Sequence, residues 1–463
     1  MEILIVSIFI LGYLAITLEH SLKIDKLIPA ILMMALAWAV VAFGLESFGT
    51  WFDSAHGKLV DGFANLPLHS SGEHDEITYS SSKSGWLEHT LLHHFGKTCE
   101  ILIFLIGAMT IVEIIDHFQG FSTIKSFVKT NKKRTLLWIV SILAFMLSAI
   151  IDNLTATIVL ITILRKLLSE SKDRIWFAGL IIIAANAGGA WSPIGDVTTT
   201  MLWMGNKVSA LQLLSKLILP SLLCMVLPTL LASFTKAFKG NFDLPEDDQS
   251  QNPKGPFMLY LGLSMIVFVP IFKTFTHLPP YLGMMLSLGI VSLFAEILSA
   301  RQYSISNINQ TESSGHHASP TFKSLTKIEM PSILFFLGIL MTVAALESLG
   351  LVFSFGNSVN QSMNTDVFVM LLGVGSAVID NVPLVAASMG MFQESIDHHV
   401  WHFIAYAAGT GGSMLIIGSA AGVVAMGMEK IDFFWYLKKI GGLALIGFLG
   451  GFLTFVLLRD YIL

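Results

Sequence analysis

The sequence predicts an all-α polytopic membrane protein, and its composition is the first reason. Of the 463 residues, 54% are hydrophobic and only 13% are charged, and the mean hydropathy is +0.72. Soluble domains carry charges on about a quarter of their residues. The net charge of −5 is spread along the chain, which excludes a basic face for nucleic acid. We therefore expect the lipid bilayer to surround most of this chain.

The second reason is a series of apolar runs, each long enough to cross a bilayer. The first run has no positive region before it and no small-residue cleavage site after it, so we expect a retained span rather than a signal peptide. Short polar gaps between the runs leave no room for a large soluble domain. The ten predicted crossings lie near residues 2–18, 27–45, 100–118, 177–205, 211–235, 257–276, 280–298, 332–350, 402–427 and 438–457.

Two further apolar runs, near 135–168 and 364–394, are each interrupted by an Asp-Asn pair. The pairs are Asp152-Asn153 and Asp380-Asn381, and they leave halves of about fifteen residues, which are too short to cross. Each run therefore predicts a re-entrant hairpin whose tip reaches the middle of the membrane. An acid costs several kcal/mol there unless it has a function. Irregular backbone at that depth also has to line a wet cavity or be buried in protein.

An internal duplication is the third reason. The motif Ser-Ala-Ile-Ile-Asp-Asn begins at Ser148 and returns as Ser-Ala-Val-Ile-Asp-Asn at Ser376. Other matches keep a similar offset of about 220 to 250 residues, and five crossings separate matching elements, so the two halves are predicted to be inverted. Each repeat would hold five spans and one re-entrant hairpin, with one discontinuous helix. The other matches are Leu27 to Met34 with Leu278 to Met285, Met109-Thr110 with Met341-Thr342, and Asn186-Ala-Gly-Gly with Gly409-Thr-Gly-Gly.

The duplication also predicts the domain organisation. Scaffold spans and an outer loop of the first repeat would occupy residues 1–99, and its hairpin and broken helix 100–235. Linkers and scaffold spans of the second repeat would occupy 236–331, and its hairpin and broken helix 332–463. Polar insertions at 46–98, 236–256 and 299–331 are predicted to be flexible surface connections.

The basic residues predict the orientation. With the hairpins entering and leaving on one side, twenty Lys and Arg residues fall on one face and six on the face that carries both termini. Basic loops stay in the cytoplasm, so both termini are predicted to lie outside.

Each hairpin is followed by a span that should not form one continuous helix. The segments Asn186–Thr200 and Gly409–Ser419 contain glycine pairs, and the first also contains Pro193. A helix that unwinds in the membrane exposes carbonyl groups and helix ends, which commonly form ion sites.

The side chains in these four segments predict a cation site. Carboxylate, amide and hydroxyl oxygens suit alkali or alkaline-earth cations, and Cys99 and Cys224 form no Cys-x-x-Cys metal motif. No Lys or Arg lies in either hairpin tip or in either broken span to attract an anion. The predicted metal ligands are Asp152, Asp196 and Asp380, and the predicted cation- and proton-binding set also includes Asn153, Thr155, Asn186, Thr198, Asn381, Thr410 and Ser413.

These carboxylates also predict proton coupling. Burial and mutual repulsion disfavour the charged form of an acid, so an empty site would bind a proton near neutral pH. A cation would have to displace that proton, and this competition is sufficient for antiport. No catalytic residue and no resident cofactor are expected; the transported ions would be Na⁺ or Li⁺ and H⁺.

The motifs at Ser148 and Ser376, with the segments Asn186–Thr200 and Gly409–Ser413, resemble those of the NhaD-type sodium/proton antiporters of the ion transporter superfamily. The resemblance covers nearly the whole chain. It implies expulsion of Na⁺ or Li⁺ in exchange for protons across the cell inner (plasma) membrane, as in pH homeostasis. It also implies a homodimer formed by a scaffold subdomain, with a mobile subdomain of two hairpins and two broken helices.

Two alternatives remain open. One is a sodium-coupled symporter of a small dicarboxylate or other organic anion; such proteins of the same superfamily carry a Ser-Asn-Thr type motif at the hairpin tips, where this chain has Asp-Asn. The other is an intramembrane aspartyl protease with Asp152 and Asp380 as its dyad.

Several titratable residues are expected to be ordinary. Glu113, Glu347 and Glu296 read as interfacial carboxylates, although the first two could serve a proton path. Asp196 could also cap the half-helix that starts at Val197, and this role is compatible with cation binding. The outer histidines read as polar loop residues that could sense external pH: His56, His69, His74, His89, His93, His94, His398, His399 and His402.

Overall fold

The computed structural model describes residues 1–45, 47–53, 58–61, 83–125, 130–242, 252–306 and 319–461. These residues are mostly helical, as predicted. In chain order the helices are α1 (Glu2–Thr17), α2 (Glu19–Leu22), α3 (Leu27–Gly44), α4 (Lys83–His117), α5 (Ser122–Lys125), α6 (Lys133–Ser148), α7 (Asn153–Leu167), α8 (Ser171–Gly189), α9 (Val197–Met204), α10 (Ala210–Ser233), α11 (Gly255–Thr276), α12 (Pro280–Ser306), α13 (Pro320–Leu325), α14 (Met330–Ser348), α15 (Leu351–Ser362), α16 (Thr365–Gly375), α17 (Asn381–Met391), α18 (His399–Gly411), α19 (Ala420–Glu429), α20 (Phe433–Tyr436) and α21 (Gly442–Tyr461).

Within the described ranges, seven helical stretches are long and apolar enough to cross a membrane. The polytopic architecture predicted from the sequence is thus confirmed. Three of the ten predicted crossings are not among the seven: α1 has only 16 residues, and the other two runs are interrupted. The seven stretches are Leu27–Gly44, Leu87–His117, Ala210–Ser233, Gly255–Thr276, Pro280–Ser299, Met330–Ser348 and Phe433–Asp460.

The interruptions fall where the sequence predicts them. The first hairpin run forms α6 and α7 with a break over residues 149–152, and the second forms α16 and α17 with a break over 376–380. The two broken spans form α8 with α9 and α18 with α19. A 3-10 turn, Gly412–Met414, follows α18.

The polar insertions contain more regular structure than predicted. Strands β1 (Thr50–Asp53) and β2 (Lys58–Asp61) form an antiparallel pair, and α4 begins at Lys83, both inside the predicted outer loop. Likewise α12 continues to Ser306 and α13 lies inside the predicted linker. Hydropathy alone did not predict these elements, because it does not distinguish a polar helix or hairpin from a linker.

The expectation that the outer histidines are loop residues is wrong at five positions, because His89, His93 and His94 lie in α4 and His399 and His402 lie in α18. Two of the five are also buried. His94 lies in α4 and is 6% exposed, with its Nε2 3.2 Å from Ser348 Oγ, and His402 is fully buried in α18. His56, His69 and His74 lie outside the described residues.

The chain divides into two compact units. Unit 1 comprises residues 1–102, 329–368 and 382–395, and unit 2 comprises 103–328, 369–381 and 396–463. The four-segment division stays a prediction.

Unit 1 has an apolar core between α1, α3 and α14. Ile5, Ala37 and Val41 are buried there with Ala345. Gly338 lets α14 approach α3 closely, because a Cβ at 338 would lie 2.8 Å from the Ala30 carbonyl oxygen. Two hydrogen bonds, from Trp38 Nε1 to Met341 O at 2.8 Å and from Thr50 Oγ1 to Leu349 O at 3.0 Å, tie α3 and β1 to α14 and its end.

Unit 2 contains the breaks of both hairpins and of both broken spans. It also contains a buried group of charges that connects α7, α8 and α19. Glu429 ends α19, where the helix dipole disfavours a carboxylate. Arg165 Nε lies 2.6 Å from its Oε1 and Arg174 Nε lies 2.8 Å from its Oε2, and the Glu429 side chain is 1% exposed. Arg165 also donates to the Met428 carbonyl. Arg165 therefore holds the end of α19 against the first hairpin, and Arg174 holds it against α8.

Replacing Glu429 with glutamine keeps the shape of the side chain and removes its charge. We expect the E429Q variant to lose about 2–3 kcal/mol of unfolding free energy, somewhat less than for a fully buried pair, because water reaches the arginines. Denaturant unfolding in detergent micelles measures this loss. Arg459→Gln is the matched control, because Arg459 pairs with the 47% exposed Asp460, and exposed pairs contribute at most about 1 kcal/mol. Equal losses in both variants would contradict a structural role for Glu429.

Candidate functional site

The first hairpin break is built around Asp152, which precedes α7. Its Oδ1 accepts a hydrogen bond from the Thr155 backbone N–H at 2.8 Å, and its Oδ2 accepts one from Thr155 Oγ1 at 2.7 Å. An aspartate in this position starts a helix, because its carboxylate satisfies a backbone donor of the first turn. The positive end of the helix dipole also stabilises an anion there. Asp152 as a whole residue is intermediate in exposure, neither fully buried nor open to solvent.

A second group, here called the Asp196 cluster, consists of Asp196, Thr198 and Asn381. Asp196 occupies the N-cap position of α9 and is 4% exposed. Its Oδ2 accepts hydrogen bonds from Thr198 Oγ1 at 2.9 Å and from Asn381 Nδ2 at 3.0 Å. Asn381 comes from the second hairpin, so this cluster joins the break of the second hairpin to the broken helix of the first half.

A third group, the Asn186 cluster, consists of Asn153, Asn186 and Ser419. Asn153 Nδ2 donates to Asn186 Oδ1 at 3.0 Å, and Asn186 Nδ2 donates to Ser419 Oγ at 3.0 Å. Ser419 caps α19 by accepting from the Gly422 N–H at 3.2 Å. The Asn186 cluster thus joins the first hairpin to the broken helix of the second half, whereas the Asp196 cluster joins the second hairpin to the broken helix of the first half.

The two clusters differ because Gly409 stands in the second half where Asn186 stands in the first. A Cβ at 409 would lie 3.6 Å from Asp196 Oδ2, so this position lies beside the acid. Asn186 relays the bond from Asn153 to Ser419, whereas Asn381 reaches Asp196 directly. The residue at the start of α9 is the acid Asp196, and the residue at the start of α19 is Ser419.

The remaining predicted site residues are placed as follows. Asp380 is partly exposed directly before α17, and its charge repels that of Asp196. Thr410 and Ser413 are buried, but their hydroxyl groups donate to the carbonyl groups of Tyr406 and Thr410 at 2.7 and 2.6 Å. Their hydrogens thus serve the local backbone, while their oxygen lone pairs remain as potential ligands.

The three predicted carboxylates do not meet at one point. Among the described residues, no group of three or more His, Cys, Asp or Glu side chains is placed to hold a metal ion. A cation in this region would therefore be bound by one or two carboxylates with amide, hydroxyl and carbonyl oxygens, which is a usual composition for hard cations.

The hydroxyl groups of Ser148 and Thr157 were not among the predicted cation ligands. Both hydroxyl oxygens are buried, and neither has a hydrogen-bond partner in the described part of the chain. Ser376, which matches Ser148 in the repeated motif, instead donates to Ala408 O at 2.9 Å. The repeated serine was the available signal, but the motif does not reveal which copy is unpaired.

Glycines bring the breaks together by allowing backbone contact. A Cβ at Gly188 would collide with the Phe145 carbonyl oxygen, and one at Gly411 would collide with that of Gly373. The same holds within the breaks: a Cβ at Gly195 would lie 2.5 Å from Ser148 O, and one at Gly418 the same distance from Ala377 O. Each broken helix thus contacts the first helix of its own hairpin in the same way.

We expect the Gly188→Ala substitution to displace α8 from α6, because the new Cβ would collide with the Phe145 carbonyl oxygen. Overpacking of this kind costs about 1–3 kcal/mol, and Asn186, two residues away, would lose its alignment. Thermal unfolding in detergent should show a lower midpoint.

Gly427→Ala is the matched control for this substitution, because no atom lies within 4 Å of a Cβ at that position. Alanine is about 1 kcal/mol better than glycine in a helix, so the control should be unchanged or more stable. A G188A protein as stable as this control would refute the close contact.

The sequence of this chain is similar to those of known transporters. The family described as citrate transporter (CitMHS) matches residues 13–407. Sodium/proton antiporter 1 of Arabidopsis thaliana is 38% identical over 99% of this chain and 73% of its own length. The Na⁺/H⁺ antiporter NhaD of Vibrio cholerae is 30% identical over 93% of this chain and 86% of its own length. The chain belongs to the NhaD-type sodium/proton antiporter family.

The fold of this NhaD-type protein has a match among solved structures. The YdaH transporter of Alcanivorax borkumensis aligns over 93% of this chain and 98% of its own, with a TM-score of 0.59 and 13% identity. That likeness concerns the fold alone. The family and the relatives together identify a transporter rather than an enzyme, which removes the intramembrane protease alternative.

Proposed function

We propose that this protein exchanges Na⁺, or Li⁺, for protons across the membrane, and that cation and proton compete for Asp152, Asp196 and Asp380. The observation that carries the proposal is the Asp196 cluster. A buried carboxylate at a helix start receives donors from Thr198 and from Asn381 of the other half. Relatives named sodium/proton antiporters support the same exchange.

The proposed ligand set is the one predicted from the sequence. Asp152, Asp196 and Asp380 would supply the negative charge, with one or two of them bound to a cation at a time. The neutral oxygens would complete its coordination: Asn153, Thr155, Asn186, Thr198, Asn381, Thr410 and Ser413. No resident cofactor is needed, because the carboxylates themselves bind and release both transported ions.

The chemistry of the helix starts favours cation exchange over symport of an organic anion. Helix N-termini are ready anion sites, but carboxylates of this chain already lie directly before α7, α9 and α17. A substrate carboxylate would meet these negative charges, and neither the hairpin tips nor the broken spans contain Lys or Arg. The family description as citrate transporter does not outweigh this arrangement.

The architecture that we propose is an inverted repeat with two re-entrant hairpins. The matching glycine contacts support it, because Gly188 and Gly195 make the same backbone approaches as Gly411 and Gly418. The Asp196 and Asn186 clusters also support it, because in each cluster a hairpin of one half is joined by hydrogen bonds to the broken helix of the other half.

We also propose a plasma-membrane location, both termini outside and a homodimer. The excess of Lys and Arg on one face supports the orientation. The likeness of the chain to NhaD-type proteins supports the location and the dimer.

Removal of either hairpin acid tests the carboxylate mechanism. In Asp152→Asn or Asp380→Asn, we expect sodium-driven proton release from everted vesicles to fall by about a hundredfold or more, because an ion pair broken in a buried site costs about 3–5 kcal/mol.

Asp460→Asn is the control for these two variants. Asp460 pairs with its neighbour Arg459 at the exposed end of α21, so exchange should be retained. Wild-type exchange in both hairpin variants would reject the carboxylate mechanism. Uptake of a labelled dicarboxylate driven by a sodium gradient would instead establish the symporter.

Competition between cation and proton predicts a specific pH dependence. While the site is protonated, each unit of acidification should raise the apparent KM for Na⁺ by up to about tenfold for each competing proton. The maximal rate at saturating Na⁺ should stay nearly constant. Initial rates over a grid of pH and Na⁺ concentration measure both quantities. A pH effect on the maximal rate alone would point to a proton site separate from the cation site.

A further inference from the structure

A cavity of about 320 Å³ lies in unit 2 beside the first hairpin. One wall is formed by α7 and the other by the end of α4 and the segment that follows it. The cavity is lined by Val112, Glu113, Asp116, Gln119, Phe121, Ser122, Lys125, Thr155, Ile158, Val159, Thr162, Ile163 and Lys166. Asp116, Gln119 and Lys166 are exposed, so the cavity opens to the outside of the protein.

The α7 wall of the cavity leads directly to the hairpin break. Thr155, Val159, Thr162 and Lys166 recur every three or four residues and so form one face of the helix. At 1.5 Å per residue, the eleven steps from Lys166 to Thr155 span about 16 Å. At the inner end, Thr155 donates to Asp152 Oδ2 at 2.7 Å. The cavity therefore spans the distance from an exposed helix end to the partner of a proposed ion ligand.

Two threonine side chains lie on the α7 wall of the cavity. Polar groups on membrane helices are costly unless they face water or a partner, yet Thr155 and Thr162 both line this space. On the opposite wall, Glu113 is partly buried and its charge interacts with those of Asp116 and Lys327. Glu113, predicted to be an interfacial carboxylate that could serve a proton path, lies on the same cavity as Thr155.

We infer that this cavity is the aqueous passage between the cytoplasm and Asp152, and that Glu113 draws the cation into it. The cytoplasmic side is assigned because Lys125 and Lys166 belong to the basic runs of the predicted inner face. A carboxylate in a narrow wet cleft raises the local cation concentration. Thr162 and Thr155 then provide oxygens along the way to Asp152. This inference rests on the proposed cation exchange and adds its route.

Cysteine labelling tests whether the cavity holds water or lipid. Thr162→Cys would be made in a Cys99→Ala, Cys224→Ala background and exposed to two membrane-impermeant methanethiosulfonates, one carrying trimethylammonium and one carrying sulfonate. In everted vesicles, we expect rapid labelling and loss of exchange, with the cationic reagent faster. Thr157→Cys is the matched control on the same helix, because Thr157 is fully buried and does not line the cavity. It should not react.

Glu113 is tested in the same system. Glu113→Gln combined with Thr162→Cys should lower the rate ratio of cationic to anionic labelling by about three- to tenfold, the effect of one charge at close range in a partly wet site. In the otherwise unmodified chain, Glu113→Gln should raise the KM for Na⁺ by a similar factor and leave kcat unchanged. A structural role alone would change the stability and leave the charge preference intact.

The outcomes separate this inference from the proposed function. Labelling of Thr162→Cys only from the outer face, or only by a lipid-soluble maleimide, would overturn the passage. An unchanged labelling ratio in Glu113→Gln would overturn the role of its charge. Labelling does not depend on which ion is transported, so failure of the proposed exchange would be recognised separately, by wild-type activity in the Asp152 and Asp380 variants.

Discussion

The hydrogen bond from Asn381 to Asp196 is the interaction on which the proposed site depends most. Asp196 is almost completely buried, and a buried carboxylate is tolerated only if its oxygens find donors or a cation. Asn381 and Thr198 provide two donors to one oxygen, and a cation bound at this carboxylate would add to them. The bond also fixes the second hairpin break against α9, so one contact serves both the fold and the binding of charge.

Helix starts are the common element of the region. Asp152 and Ser419 cap α7 and α19 through their side chains, and Asp196 occupies the same position at α9. Each break leaves backbone N–H groups that nothing in a bilayer would satisfy, and the caps satisfy part of that demand. The backbone therefore holds these polar atoms in place. In the proposed site, short helices would in this way position several oxygen ligands inside an apolar protein.

The surrounding contacts make these positions rigid. Glu429 with its two arginines fastens the end of α19 to the first hairpin and to α8, and the glycine contacts bring α8 and α18 against α6 and α16. The ion pairs act at the helix ends, and the backbone contacts act near the breaks. Together they would hold the elements of the proposed site as one unit, beside the cavity that we infer to be the ion route.

The sequence by itself determined the membrane class, the helix breaks and the residue types of the site. Hydropathy and the cost of an acid in lipid act locally, so Asp152 and Asp380 mark the breaks without any tertiary information. Only the tertiary structure decided which breaks meet: Asn381 bonds Asp196 of the other half, and Glu113 shares a cavity with Thr155. Those pairings depend on helix packing between residues far apart in the chain, and local patterns carry no record of that packing.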